Sequence, residues 1–140
     1  MYIFAAVLLV LLSIAHSYLG ERYILIRLFR RDNLPKLFGS TEFTVRTLRF
    51  AWHLTSVAWL GFAVILIQLG MGFESPRAIA ITVGVTFVLH GLAALIGSKG
   101  KHLSWPFFLI AGTAAIYTAS SYCQSLASGL ERVTVHWWSK

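Results

Sequence analysis

Apolar residues fall along the chain in four long blocks, separated by short segments that hold nearly all of the charge. The blocks cover residues 2–19, 50–69, 78–96 and 105–122. Each approaches the roughly 20 residues that an α-helix needs to cross the hydrocarbon core of a bilayer. The pattern predicts an all-α integral membrane protein, with residues 1–140 forming one four-span domain. Short connections force successive helices to run antiparallel, so the expected architecture is an up-and-down four-helix bundle.

The first connection carries a pattern of its own. Residues 21–31 (ERYILIRLFRR) interleave Tyr23, Ile24, Ile26 and Leu28 with Arg22, Arg27, Arg30 and Arg31. This predicts an amphipathic extension of the first helix, with its apolar side chains buried and its arginines among headgroups. Asp32-Asn33-Leu34-Pro35 reads as a turn. Gly39-Ser40-Thr41-Glu42 reads as the next helix start, with a hydroxyl cap and an acid in the first turn. Ser75-Pro76 suits the start of the third helix, and residues 97–101 (GSKGK) read as a flexible inner connection. In the fourth helix, opened by Trp105-Pro106, Ala111, Ala115 and Ala119 form a small-residue stripe that permits close helix approach. Beyond Tyr122 the chain turns polar, and its last aromatic run (VTVHWW, residues 133–138) reads as an interfacial anchor.

Composition agrees with the pattern, since 57% hydrophobic and 12% charged residues make the chain too apolar for an ordinary soluble domain. The net charge of +7 is unevenly placed. Of the 12 basic residues, Arg22, Arg27, Arg30, Arg31, Lys36, Arg46, Arg49, Lys99 and Lys101 flank the first and third connections, against Arg77, Arg132 and Lys140 on the other side. The positive-inside rule then places both termini outside the cytoplasm, as expected for a protein of the bacterial inner membrane. Basic charge in this arrangement orients the chain and meets anionic headgroups. Membrane lipids are therefore the expected partners, followed by a second copy or a larger membrane complex, and nucleic acid is disfavoured. No Lys or Arg precedes Arg22, so the first block lacks the positive leading segment of a secretory signal and reads as an uncleaved span. Cys123 is the only cysteine, which excludes an internal disulfide and a cysteine-rich metal site.

Candidate chemistry rests on His16, His53 and His90, one in each of the first three blocks. Ionisable groups at membrane depth usually face a protein interior or a cavity. From a helix rise of about 1.5 Å per residue, His16 and His53 lie about 6 Å inside the cytoplasmic boundary, with His90 about 13 Å from Lys99. One shared layer is compatible with these depths. His53 shares a helical face with Arg46, Arg49 and Phe50, while His16 shares one with Ser13, Gly20 and Tyr23, Glu21 being partly rotated away. His90 lies with Thr86 and Gly97.

The first expectation is a binding or accessory protein whose ligand meets a cluster of His16, His53, His90, Arg22, Arg46, Arg49 and Glu21, because guanidinium forks match phosphate geometry. A second is a haem- or transition-metal-binding redox protein, since neutral imidazole ligates zinc, copper and haem iron. There His16, His53 and His90 would be the ligands, Phe50, Trp52 and Phe87 the haem walls, and Arg46 and Arg49 the propionate contacts. A di-iron centre bridged by carboxylates is disfavoured, as Glu21 is the only acid near the layer. A third is a small transporter, or a membrane enzyme acting on an anionic lipid with His16 or His53 as general base. For the transporter, Glu21 stands beside Arg22, where a plain ion pair is expected. In the fourth, each histidine only hydrogen-bonds a neighbouring helix and fixes the packing.

Overall fold

A computed structural model describes the backbone of residues 1–138 except Glu74, and the side chains of residues 1–121 with the same exception. Four helices follow one another: α1 (Tyr2–Leu28), α2 (Glu42–Met71), α3 (Pro76–Ser98) and α4 (Ser104–Trp138). The first three are long and apolar enough to cross a membrane. No strand occurs among the described residues, only an isolated bridge between Leu37 and Ser40. The polar tail, the aromatic run at 133–138 and Cys123 lie outside the described side chains.

Local chemistry accounts for the helix boundaries. Ser75 caps α3 by accepting the Ala78 N–H at 3.0 Å, and Pro76 occupies the first turn, where its missing N–H costs nothing. At the start of α2 the hydroxyl cap is weaker than expected. Thr41 makes no side-chain cap, and the Ser40 hydroxyl accepts the Glu42 N–H at 3.4 Å. Just before it the backbone reverses through Phe38 and Gly39, both left-handed with φ 55° and 83°, while Leu37 and Ser40 exchange backbone bonds of 3.0 and 3.3 Å. The Thr44 hydroxyl donates to the Pro35 carbonyl at 2.8 Å and ties this connection to α2.

The first helix runs past Leu19 without a break. Between Gly20 and Leu25 it widens into a π-helical turn, in which the Ile26 N–H reaches the Glu21 carbonyl five residues back. The widened turn shifts the face presented to α2. Leu25 is the residue that packs inward, at 2% exposure, whereas Tyr23 and Ile24 stay about half exposed. The expected amphipathic extension is therefore continuous with α1, and its inward register differs from the simple interleaving.

Helix α1 packs on α2, α2 on α3, and α3 on α4; among the described residues no further helix pair makes contact. The seams are built from small residues. Ala6, Ala63, Ala94, Ala119, Ser13 and Ser98 are almost fully buried, while Phe4, Leu11, Phe62, Ile96, Phe107 and Tyr117 are exposed. Such inversion suits lipid as solvent, where large apolar side chains gain nothing by turning inward and close backbone approach drives association. On the α3–α4 seam, a Cβ at Gly84 would meet the Gly112 carbonyl at 2.8 Å, and one at Gly112 would meet the Gly84 carbonyl at 2.7 Å. The alanine stripe of α4 is only partly used. Ala119 is buried and Ala115 half-buried, but Ala111 is exposed and Gly112 takes its place. A helix repeats every 3.6 residues, so positions 112, 116 and 119 share a face better than residues spaced strictly by four.

This seam predicts that Gly84→Leu lowers stability by about 1–3 kcal/mol, the usual cost of overpacking, whereas Ala111→Leu is close to neutral. Thermal unfolding of the two purified variants in one detergent checks the contrast, and equal effects would contradict the seam.

Candidate functional site

The α1–α2 seam is aromatic at its inner end. Gly20 has no side chain, and the space a Cβ would take is filled by the Trp52 indole. Trp52 Nε1 donates to the His16 carbonyl at 3.1 Å. The indole also stacks on the His16 ring, with centroids 4.5 Å apart and planes 4° from parallel, and Trp59 meets that ring edge-on at 4.9 Å. His16 is thus held between two tryptophans of α2, and its Nε2 is buried without a hydrogen-bond partner.

One turn further along α1, a polar network crosses to α2. The Ser17 hydroxyl lies 2.6 Å from His53 Nδ1, and His53 Nε2 lies 3.4 Å from Glu21 Oε2. The other carboxylate oxygen of Glu21 receives Arg49 Nη2 at 3.0 Å. Arg49 also places its guanidinium over the Phe29 ring, 5.1 Å from the centroid. The expected Glu21–Arg22 pair does not form. Side chains adjacent in a helix diverge by about 100°, so Arg22 is exposed while Glu21 faces α2.

Arg49 and His53 have a second neighbourhood. With Glu42, Arg46 and Phe50 they surround one end of a cleft of ≈ 680 Å³ between α2 and α3, whose remaining walls include Leu54, Val57, Ala93 and Ile96. Val57 and Ala93 also belong to a further compartment of ≈ 580 Å³, which continues along the same helix pair past Leu60, Val64, Val85 and Leu89. The cleft is charged at one end and apolar along the rest. At the charged end Glu42 accepts Arg46 Nε at 2.9 Å and Lys99 Nζ at 3.4 Å. Glu42 stands eight residues before the apolar block of α2, and its carboxyl is held below the usual carboxylate range by the Arg46 hydrogen bond and the nearby Lys99 charge. Arg46 hydrogen-bonds the Glu42 carboxylate through Nε, and no hydrogen bond from its two terminal nitrogens occurs among the described residues.

His90 belongs elsewhere. Its Nδ1 lies 2.7 Å from the Thr86 carbonyl of its own helix, and its ring packs on Phe87 and Phe108 at 6.2 and 5.5 Å. The structure therefore brings His53, Arg46, Arg49 and Glu21 together, and keeps Arg22, His16 and His90 apart from them. No group of three or more His, Cys, Asp or Glu side chains is arranged around a common metal position among the described residues. The residues considered as haem walls also diverge: Phe50 lines the cleft, Trp52 faces α1, and Phe87 sits with His90. Ser17 and Lys99 join the cluster without having been singled out from sequence. For Ser17 the usable signal was its position one turn before Glu21, on the face that α1 turns to α2. Compared with protein-family models, with curated proteins and with solved structures, the chain gives no significant match.

The network predicts energetic coupling between Glu21 and Arg49. In a double-mutant cycle of Glu21→Gln and Arg49→Gln, followed by denaturant unfolding in detergent, the coupling is expected at about 0.5–1 kcal/mol, the upper part of the range for partly exposed pairs. Strictly additive effects would show that the pair contributes nothing.

Proposed function

We propose that this chain is a small polytopic protein of the bacterial inner membrane, with four antiparallel spans and both termini outside, that binds an anionic phospholipid in the α2–α3 cleft. The observation that carries the reading is the continuity of the cleft: Arg46, Arg49 and His53 at one end, and an apolar floor along the rest. That is the shape and polarity of a phosphate headgroup followed by an acyl chain. Guanidinium forks suit phosphate oxygens, and an apolar groove open between helices admits a chain from the bilayer sideways.

Two further features support a lipid occupant. The basic end lies at the side of the chain where basic residues concentrate, which is where anionic headgroups of the cytoplasmic leaflet are met. The Glu21 and Glu42 contacts orient the arginines without exhausting their donors, since each guanidinium offers five N–H groups. The protein acts in this reading as a binding or accessory component, with no catalytic residue assigned.

Purification from membranes of mixed phosphatidylcholine and phosphatidylglycerol tests the proposal, with retained lipid counted by native mass spectrometry. Wild type is expected to retain phosphatidylglycerol preferentially. The Arg46→Gln/Arg49→Gln pair should lower that preference about tenfold, the equivalent of about 1.4 kcal/mol. The exposed Arg22→Gln/Arg27→Gln pair should leave it unchanged. Retained lipid that mirrors the bulk membrane, or a preference that survives loss of Arg46 and Arg49, would overturn it.

A further inference from the structure

The α2–α3 seam has a second side. With about 100° of rotation per residue, Val57, Leu60 and Val64 lie on the side of α2 that forms the cleft, and Ala58, Phe62 and Ile65 on the other. Gly61 packs so closely on Thr86 that a Cβ there would meet the threonine hydroxyl at 2.5 Å. This contact divides the cleft from a smaller cavity of ≈ 120 Å³, lined by Ala58, Gly61, Phe62, Ile65, Phe87 and His90. Phe62 and Phe87 are exposed at its rim, so the cavity opens to the lipid-facing surface.

His90 and Thr86 are the polar residues of this cavity, and the Thr86 hydroxyl already donates to the Thr82 carbonyl at 2.7 Å. His90 is only 8% exposed. Its 2.7 Å contact to the Thr86 carbonyl requires a proton on Nδ1, because a carbonyl oxygen only accepts. In the neutral imidazole the other nitrogen, Nε2, is then a hydrogen-bond acceptor. Among the described residues Nε2 has no protein partner, and it is not among the buried atoms sealed from the surface. From α4, Phe108 packs on the His90 ring at 5.5 Å and stacks on Phe87 at 6.0 Å and 20°, while Phe87 and His90, both on α3, line the cavity.

An unpartnered acceptor on a residue that is nine-tenths buried, in an aromatic cavity of this size, selects a narrow class of ligand. An enclosed apolar cavity of about 150 Å³ accepts a benzene ring; this one, at ≈ 120 Å³ and open at its rim, takes part of one ring with the ring's outer substituents left at the mouth. The acceptor asks for an O–H or N–H donor on that ring, and the lipid-facing mouth asks for an apolar molecule that arrives through the bilayer. We propose that this cavity binds the hydroxylated aromatic head of a hydroquinone-type lipid, its O–H donating to His90 Nε2 and its ring lying between Phe62 and Phe87. The site is separate from the α2–α3 cleft and stands or falls independently of it.

Binding of a radiolabelled decyl-tailed hydroquinone to the full chain in phosphatidylcholine nanodiscs tests the proposal, alongside its doubly O-methylated analogue. The analogue keeps ring and tail and lacks the donor. Saturable one-to-one binding of the hydroquinone is expected, with the analogue at least about tenfold weaker. His90→Leu, which keeps the site apolar, should abolish the difference, and the imidazole ¹⁵N signal of His90 Nε2 should move on addition of hydroquinone to wild type. The wild-type comparison and the nitrogen signal read the site even where the variant fails to fold. Equal affinity for the two compounds, binding that never saturates, or an unmoved Nε2 signal would overturn the assignment.

Discussion

A carboxylate on the seam between two long apolar helices is best neutralised by a partner, and for Glu21 that partner is on another helix. Its two oxygens face Arg49 at 3.0 Å and His53 at 3.4 Å, and Ser17 holds the far side of the His53 ring. Leaving such a charge unpaired between apolar helices is expensive, so the contact helps to set how α1 lies on α2. The π-helical turn and the Trp52 indole seated on Gly20 serve the same placement. Its consequence appears on the next seam, because Arg49 and His53 are held side by side at the charged end of the α2–α3 cleft.

The rest of the architecture follows from lipid being as apolar as the side chains that meet it. Alanine, serine and glycine fill most of the seams, with Leu25 and Phe50 also buried, while most other leucines and phenylalanines are exposed at least in part. The helices approach most closely where a glycine removes a side chain, as at Gly84 with Gly112, Gly61 with Thr86 and Gly20 with Trp52. Where larger side chains intervene, the helices part and leave space. On α2–α3 this produces two spaces of different character: a long cleft with guanidinium groups at one end, and a small aromatic cavity with one imidazole. Arg46, Arg49 and His53 suit an anion with an apolar tail, whereas the unpartnered Nε2 of His90 suits a neutral donor.

Much of this was legible in the chain and some was not. The first three apolar blocks lie within helices able to span a membrane, and Ser75-Pro76 opens α3 as its residue types dictate. Helical spacing also grouped His53 with Arg46, Arg49 and Phe50, because three- and four-residue offsets hold in any straight helix. The same periodicity cannot say which neighbour a face will meet. Helix rise made His16, His53 and His90 compatible with one layer, yet one meets tryptophans, one a carboxylate, and one its own backbone. Glu21 looked bound to pair with Arg22 because they are adjacent, but adjacency along a helix separates side chains, and the π-turn that turns Glu21 inward leaves no mark in composition. Gly20 was the one visible hint, since a glycine there admits the indole.

The contact at the centre of the proposed complex is that of an anionic lipid's phosphate with Arg46 and Arg49 in the cleft. Solid-state NMR of the ³¹P–¹⁵N dipolar coupling reads it directly, on protein with ¹⁵N-labelled arginine in phosphatidylglycerol bilayers, with each signal assigned by single substitution to glutamine. The guanidinium nitrogens of Arg46 and Arg49 are expected within about 4 Å of phosphorus, as direct N–H···O hydrogen bonds require. Strong coupling confined to Arg22, Arg27, Arg30 and Arg31, with none at Arg46 and Arg49, would contradict it.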